Sequence, residues 1–366
     1  MKKLPIYMLK PNMVAAENVL DFNRRLILEK GTVLTETLID RLYANQIISV
    51  QVEDEVKPSA PISYVQQKEP LPDLTLSYSE RVRQSQEFKV FQENYISSVS
   101  NFKGYLNDIV QKNATVAVSK MLEDSFKLIN ISKGSFHVFD MLQNMREYDD
   151  DTYAHSMNVA LICNVMATWL NWKTSDVELA TACGLLHDIG KLSIPPEIIR
   201  KPSKLSVEEY LKVRTHPQEG YAILKAKNLN IHMQNAALMH HERMDGTGYP
   251  LNLRGQSIDH FASLVAIADV YDAMTAKRVY REALCPFEVI HIFEQEGFQR
   301  YETEFLLPFL EHVVNTYVQN QCMLSDGRTA TIVYVNKEHL SRPTVLCNGI
   351  FLELARYPEL KIARLL

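Results

Sequence analysis

Five histidines and two aspartates follow one another between positions 155 and 269: His155, the pair His187-Asp188, His216, the pair His240-His241, and Asp269. Each is embedded in an apolar pattern of helical period, where a buried imidazole or carboxylate is costly unless something pairs with it. Five of the eleven histidines lie in this train, so the fold must bring several helices together around polar groups. An imidazole can hold a single metal ion, and a carboxylate has two oxygens that can bridge a pair. The dipeptide His187-Asp188 is weak on its own, and the ordered company it keeps makes a metal site the reading.

Local patterns place each ligand. Val159, Ile162, Val165 and Met166 recur at helix spacing over residues 152–170, which puts His155 in a first turn. A second helix from about Asp176, with Val177, Ala180, Cys183 and Leu186 on its apolar face, ends at His187 and Asp188, with Gly190 as its C-terminal cap. His216 stands before Pro217 at a helix boundary after the amphipathic run Ser206–Arg214, and His240-His241 close the segment Ile231–His241. Asp269 falls inside a helical run over Phe261–Ala276. Adjacent side chains on a helix diverge by roughly 100°, so His240 and His241 are expected to flank a two-metal cluster rather than share one ion. Two metals about 3.5–4 Å apart suit in-line phosphoryl displacement.

Three separated motifs then make a resemblance specific. His187-Asp188, the run His241-Glu242-Arg243-Met244-Asp245-Gly246-Thr247-Gly248-Tyr249-Pro250, and Asp269-Val270-Tyr271-Asp272-Ala273-Met274-Thr275 with Arg278 and Tyr280-Arg281 beyond it occur in the order found in the HD-GYP family. This is a branch of the HD metal-dependent phosphohydrolases, and the resemblance covers roughly residues 140–320. It implies a mainly α chain with a helical HD-type catalytic bundle. It also implies a cyclic di-GMP phosphodiesterase that releases pGpG, with GMP as a further product if a third ion permits a second cut.

The resemblance implies two or three divalent ions, iron or manganese, held by His155, His187, Asp188, His216, His240, His241 and Asp269. Attack by a metal-activated water makes Asp188 a catalytic residue as well as a ligand. Lys191 is assigned the charge on the phosphate or leaving oxygen. Lys191, Gly248, Tyr249, Asp272, Arg278 and Arg281 are implied substrate contacts, with Asp272 alternatively a partner of the ligands. Two departures stand out: Val279 replaces a proline frequent in the family, and Asp151 stands where some members have a glutamate that binds a third ion. Asp151 can equally cap its helix. An HD phosphohydrolase for another cyclic nucleotide, or a non-catalytic cyclic dinucleotide receptor, is the alternative.

The remaining chain is read around this domain. With 366 residues and 46% hydrophobic content it is expected to hold several domains: an α/β module over 1–53, a Pro-rich linker over 54–75, connecting helices over 76–135, the catalytic domain over 136–320 and a C-terminal β module over 321–366. In the first, Met13–Leu20 and Arg24–Glu29 read as strands, Thr35 caps a helix to about Asn45, and Ile47–Glu53 is a third strand. Apolar points from Val82 to Ile109 suit either a homodimeric coiled coil or packing on the catalytic domain. In the last, Arg328–Asn336 and Thr344–Leu354 alternate as strands, with Asn348-Gly349 as a hairpin turn.

A balance of 39 basic against 44 acidic residues, net −5, argues against DNA, RNA or anionic membranes as partners. Five scattered cysteines suit a reducing compartment. Pro5 and Lys10 interrupt any signal-type apolar run, and no stretch approaches the roughly 18 apolar residues of a membrane span, so the cytoplasm is the expected location. His137, His232, His260, His291, His312 and His339 are left structural.

Overall fold

The computed structural model describes residues 2–5, 9–11, 13–20, 26–35, 38–39, 42, 47, 49–53, 78–111, 115–132, 135–145, 152–276 and 283–366. The Pro-rich linker, Asp151, Arg278 and Arg281 lie outside the described residues. The chain divides into two compact units, Met1–Leu71 and Pro72–Leu366.

In the first unit β1 (Lys2–Pro5) pairs antiparallel with β4 (Ser49–Val52), and β2 (Val19–Leu20) with β3 (Leu26–Leu28). Ala15 bridges to Val52 and Val14 to Val33, so the two ribbons are tied through one segment. Leu4, Leu28, Leu34, Leu42 and Val50 fill the small core between them. The strand at Lys2–Pro5 was absent from the sequence reading, because a charged, proline-ended tetrapeptide has no alternation to detect.

The second unit is mainly helical. It contains α1 (Tyr78–Gln84), α2 (Gln86–Gln111), α3 (Val118–Ile131), α4 (Ser135–Met145), α5 (Thr152–Trp169) and α6 (Thr174–Leu186). A 3-10 turn (Ile189–Ser193) leads to α7 (Pro196–Ile199), α8 (Val207–Val213), α9 (His216–Ala226), α10 (Ile231–Met239) and α11 (His260–Thr275). Helices α12 (Pro286–Ile292), α13 (Phe298–Arg300) and α14 (Thr303–Thr316) precede five strands: β5 (Gln321–Leu324), β6 (Thr329–Asn336), β7 (His339–Cys347), β8 (Ile350–Glu353) and β9 (Ile362–Leu365). The sheet is antiparallel in the order β8-β7-β6-β5-β9. Asn348 and Gly349 turn the β7–β8 hairpin with φ of 50° and 78°, a left-handed pair suited to these residues.

One continuous core joins all of these parts. On α2, Phe88, Phe91, Tyr95, Val99, Phe102, Leu106 and Ile109 are buried among the same residues that bury α5, α6 and α11. The steps of three and four therefore describe a face that packs within the unit. Helix α5 differs from the one-sided helix that its pattern suggested, since it is buried around its whole circumference from Tyr153 to Ala167. It is the central rod of the bundle, with α6 and α11 packed along it. Among the described residues, no helix is long and apolar enough to cross a membrane.

Candidate metal centre

The ligand train converges at the ends of α6, α9 and α10 and the middle of α11. His187 is the C-terminal cap of α6 and Asp188 leaves the helix at φ −102°, so the chain enters the 3-10 turn rather than a left-handed cap. Gly190 serves a different purpose from the expected one. A Cβ built there would stand 1.9 Å from the His216 carbonyl oxygen and 2.5 Å from the Gly220 nitrogen. Only glycine lets the turn press on the first turn of α9, which sets Asp188 and Lys191 beside His216.

Three imidazoles have their tautomer fixed by the backbone. His187 Nδ1 donates to the Gly184 carbonyl at 2.7 Å, His216 Nδ1 to Val213 at 2.8 Å and His240 Nδ1 to Ala236 at 3.0 Å. A carbonyl only accepts, so each Nδ1 holds the proton and each Nε2 turns a lone pair inward. His216 Nε2 and His240 Nε2 face one another at 3.2 Å. Two lone pairs at that distance repel unless a cation lies against both. His187 Nε2 and Asp188 Oδ1 are buried with no hydrogen-bond partner. Buried polar atoms are rarely left so, and this donor set fits divalent metal ions.

Asp188 stands between two halves. Its Oδ1 is 3.3 Å from His216 Nε2 and 3.7 Å from His240 Nε2, while its Oδ2 is 3.3 Å from His187 Nε2 and 3.8 Å from His155 Nε2. Donor atoms of His155, His187 and Asp269 lie within 4.8 Å of one another, as do those of His216, His240 and His241. The second group corrects the expectation that His240 and His241 cannot share an ion. Helix α10 ends at Met239 and His240 is its C-terminal cap. The two rings lie 4.1 Å apart.

Carboxylates hold the remaining ligands. His155 Nε2 meets Asp269 Oδ1 at 3.0 Å and its Nδ1 meets Asp272 Oδ2 at 2.8 Å. Asp272 is 1% exposed, which makes it a partner that orients His155 rather than a surface open to substrate. Burial opposes a charge on His155, but the two carboxylates outweigh it and push its pKa up to about 9. Burial dominates the other half: it lowers His216 to about 4 and His241 to about 3, and carries His240 well down, so these rings are neutral at neutral pH. Asp188 is held well below the usual carboxylate range despite burial, by Lys191 and His187. Lys191 Nζ reaches Asp188 Oδ2 at 2.5 Å.

The loop after His241 is pinned from below. Glu242, 2% exposed, accepts the amides of Leu251 at 2.6 Å and Leu253 at 3.0 Å through its two oxygens. A Cβ on Gly248 would meet the Glu242 Cα at 2.4 Å, so this glycine lets the loop fold back on the ligand segment. Tyr249 then stacks on His241, with centroids 4.6 Å apart and planes at 21°. Arg214 lies over the Tyr249 ring at 4.1 Å. The sequence reading gave neither Glu242 nor Arg214 a role. An acid inside a loop and a cation at a helix end carry no local signal of their partners. His232, Asp259 and His260 form a further group within ligand reach, away from the train.

A family model described as "HD domain" matches residues 136–305. A Pseudomonas aeruginosa protein named as a cyclic di-GMP phosphodiesterase is 34% identical over 56% of this chain and 49% of its own. A Vibrio cholerae protein named as a 3'3'-cGAMP-specific phosphodiesterase is 39% identical over 40% of this chain and 34% of its own. The chain thus spans a third to a half of the length of these relatives. A solved Bdellovibrio bacteriovorus protein, described by its authors as an HDG"Y"P protein, aligns over 84% of this chain and 97% of its own, with TM-score 0.48 and 16% identity. Residues 136–305, a little under half of this chain, thus match an HD domain.

Proposed function

We propose that this protein hydrolyses cyclic di-GMP to pGpG, using iron or manganese held by His155, His187, Asp188, His216, His240, His241 and Asp269. The observation that carries the reading is the inward Nε2 set of His187, His216 and His240 around the partnerless Asp188 Oδ1. Divalent ions in such a set supply Lewis acidity and lower the pKa of water. The chain's own groups do the rest. Asp188, with an oxygen toward each half, would be a ligand to either half, and Asp272 keeps His155 aimed at the centre. Lys191, already against Asp188, offers a compact positive charge to a non-bridging phosphate oxygen or a proton to the departing ribose oxygen. Tyr249 and the Gly248 backbone form the wall beside His241 against which the dinucleotide lies.

Relatives named for 3'3'-cGAMP support a second reading, in which the same centre acts on a mixed cyclic dinucleotide. Anaerobic purification, metal analysis and turnover of both substrates on one sample test the assignment. Bound iron or manganese with pGpG released supports it, and a product carried on to GMP, with three ions per chain, adds Asp151 to the ligands. A loaded centre that cleaves 3'3'-cGAMP but not cyclic di-GMP moves the function to the second substrate.

A further inference from the structure

Arg214 is the C-terminal cap of α8, two residues before the ligand His216. The capping box of Ser206 and Glu209 starts that helix, and its end delivers the guanidinium to the rim of the metal centre. The guanidinium carbon lies 4.1 Å from the Tyr249 ring centroid and 5.9 Å from that of Tyr210. Tyr249 in turn stacks on His241. Among the described residues, no carboxylate or carbonyl accepts a hydrogen bond from this guanidinium. Arg243 is different: it donates to the His240 and Glu242 carbonyls while lying over Tyr301, so its donors are used inside the fold. Arg214 is a half-buried cation held over an aromatic ring, with N–H groups that no protein acceptor uses among the described residues.

Building on the phosphodiesterase reading, we infer that Arg214 grips the second, non-scissile phosphodiester of a cyclic dinucleotide. The scissile phosphate belongs at the metals with Lys191. A cyclic dinucleotide ties a second phosphodiester to the first through the ribose ring system, and an anion there needs a charge one ring beyond His241. The chain is net negative, so such charge must be local. A planar fork meets two phosphate oxygens in its own plane, and a ring contact uses none of its N–H groups as hydrogen-bond donors to oxygen. A purine stacked on the guanidinium would compete with Tyr249 for its face, which favours the phosphate. Arg214 is therefore a specificity residue for substrates with two phosphodiesters.

The test uses the metal-loaded full chain as wild type, R214A and R214K. Substrates are cyclic di-GMP, 3'3'-cGAMP, cyclic di-AMP and bis(p-nitrophenyl) phosphate, which has a single phosphodiester. R214A is expected to raise KM about tenfold to a hundredfold on each cyclic dinucleotide that the wild type hydrolyses, with kcat changed far less. R214K should recover part of that loss, and the single diester should respond much less. An unchanged KM, or an equal loss on bis(p-nitrophenyl) phosphate, overturns the inference. A loss confined to guanine-containing substrates overturns it in favour of a base-edge contact. If the wild type rejects cyclic di-GMP but cleaves another cyclic dinucleotide, the proposed substrate falls and Arg214 is judged on the one accepted. Turnover of the single diester with none of the three overturns both readings.

Discussion

Two groups of histidine and aspartate stand on the same pair of helices, α10 and α11, and are built to different ends. At the helix starts, Asp259 Oδ1 accepts the Phe261 amide at 2.9 Å as an N-cap, and its Oδ2 accepts His232 Nδ1 at 2.7 Å and Asn235 Nδ2 at 3.0 Å. Both oxygens are satisfied by the protein, and His260 is exposed with its ring against Trp172. Further along, His240 ends α10 while Asp269 lies within α11; there His240 Nε2 faces His216 Nε2, and His187 Nε2 and Asp188 Oδ1 at the end of α6 are buried with no hydrogen-bond partner. The same residue types within the same reach thus make a helix cap in one place and a metal centre in the other. What separates them is whether hydrogen bonds already use the lone pairs.

The largest expected effect is the loss of turnover and bound metal in His187→Ala or Asp188→Ala, read by metal analysis and product release. His232→Ala should keep both within about twofold of wild type, so a His232→Ala chain stripped of metal would erase the distinction. Next is Asp272→Asn, which leaves His155 Nδ1 without its anionic partner while Asp269 stays at Nε2. A loss of about 10- to 100-fold in metal affinity or activity is expected, and an unchanged variant would show that His155 is aimed by packing alone.

A third effect is in pH. His155 in the metal-free chain has its pKa raised from the ordinary 6.5 to about 9, so the stability from its charged pairing is fully present below pH 6.5 and lost as pH rises through 9. A metal needs the neutral ring, so loading at this half should tighten as pH rises towards 9 and release a proton at neutral pH. Calorimetry in buffers of different ionisation enthalpy measures that release. The His216, His240 and His241 half, already neutral, should contribute none. The smallest effect belongs to the cap. Asp259→Ala should cost about 1–2 kcal/mol of unfolding free energy in urea, with metal content kept.

The helices that carry the candidate ligands were legible because each local signal is short-range: an apolar period, a proline at a helix start, a histidine inside an apolar run. The same signals misjudged the junctions. Gly190 reads as a cap from its position after a helix, yet it is required by the His216 carbonyl, which only the folded chain brings near. His240 and His241 read as divergent, yet in the folded chain their donor atoms lie within 4.8 Å of one another. Glu242 and Arg214 find their partners across a loop and a helix end, where spacing says nothing.

The sequence by itself determined which candidate ligands the helices carry and in what order they present them, since periodicity and motif spacing depend only on near neighbours along the chain. The tertiary structure alone decided which Nε2 atoms face Asp188, that Asp272 orients His155, and that Asp259 caps a helix. These are matters of distance and of which lone pairs stay unused, and both are set by packing between segments far apart in the chain.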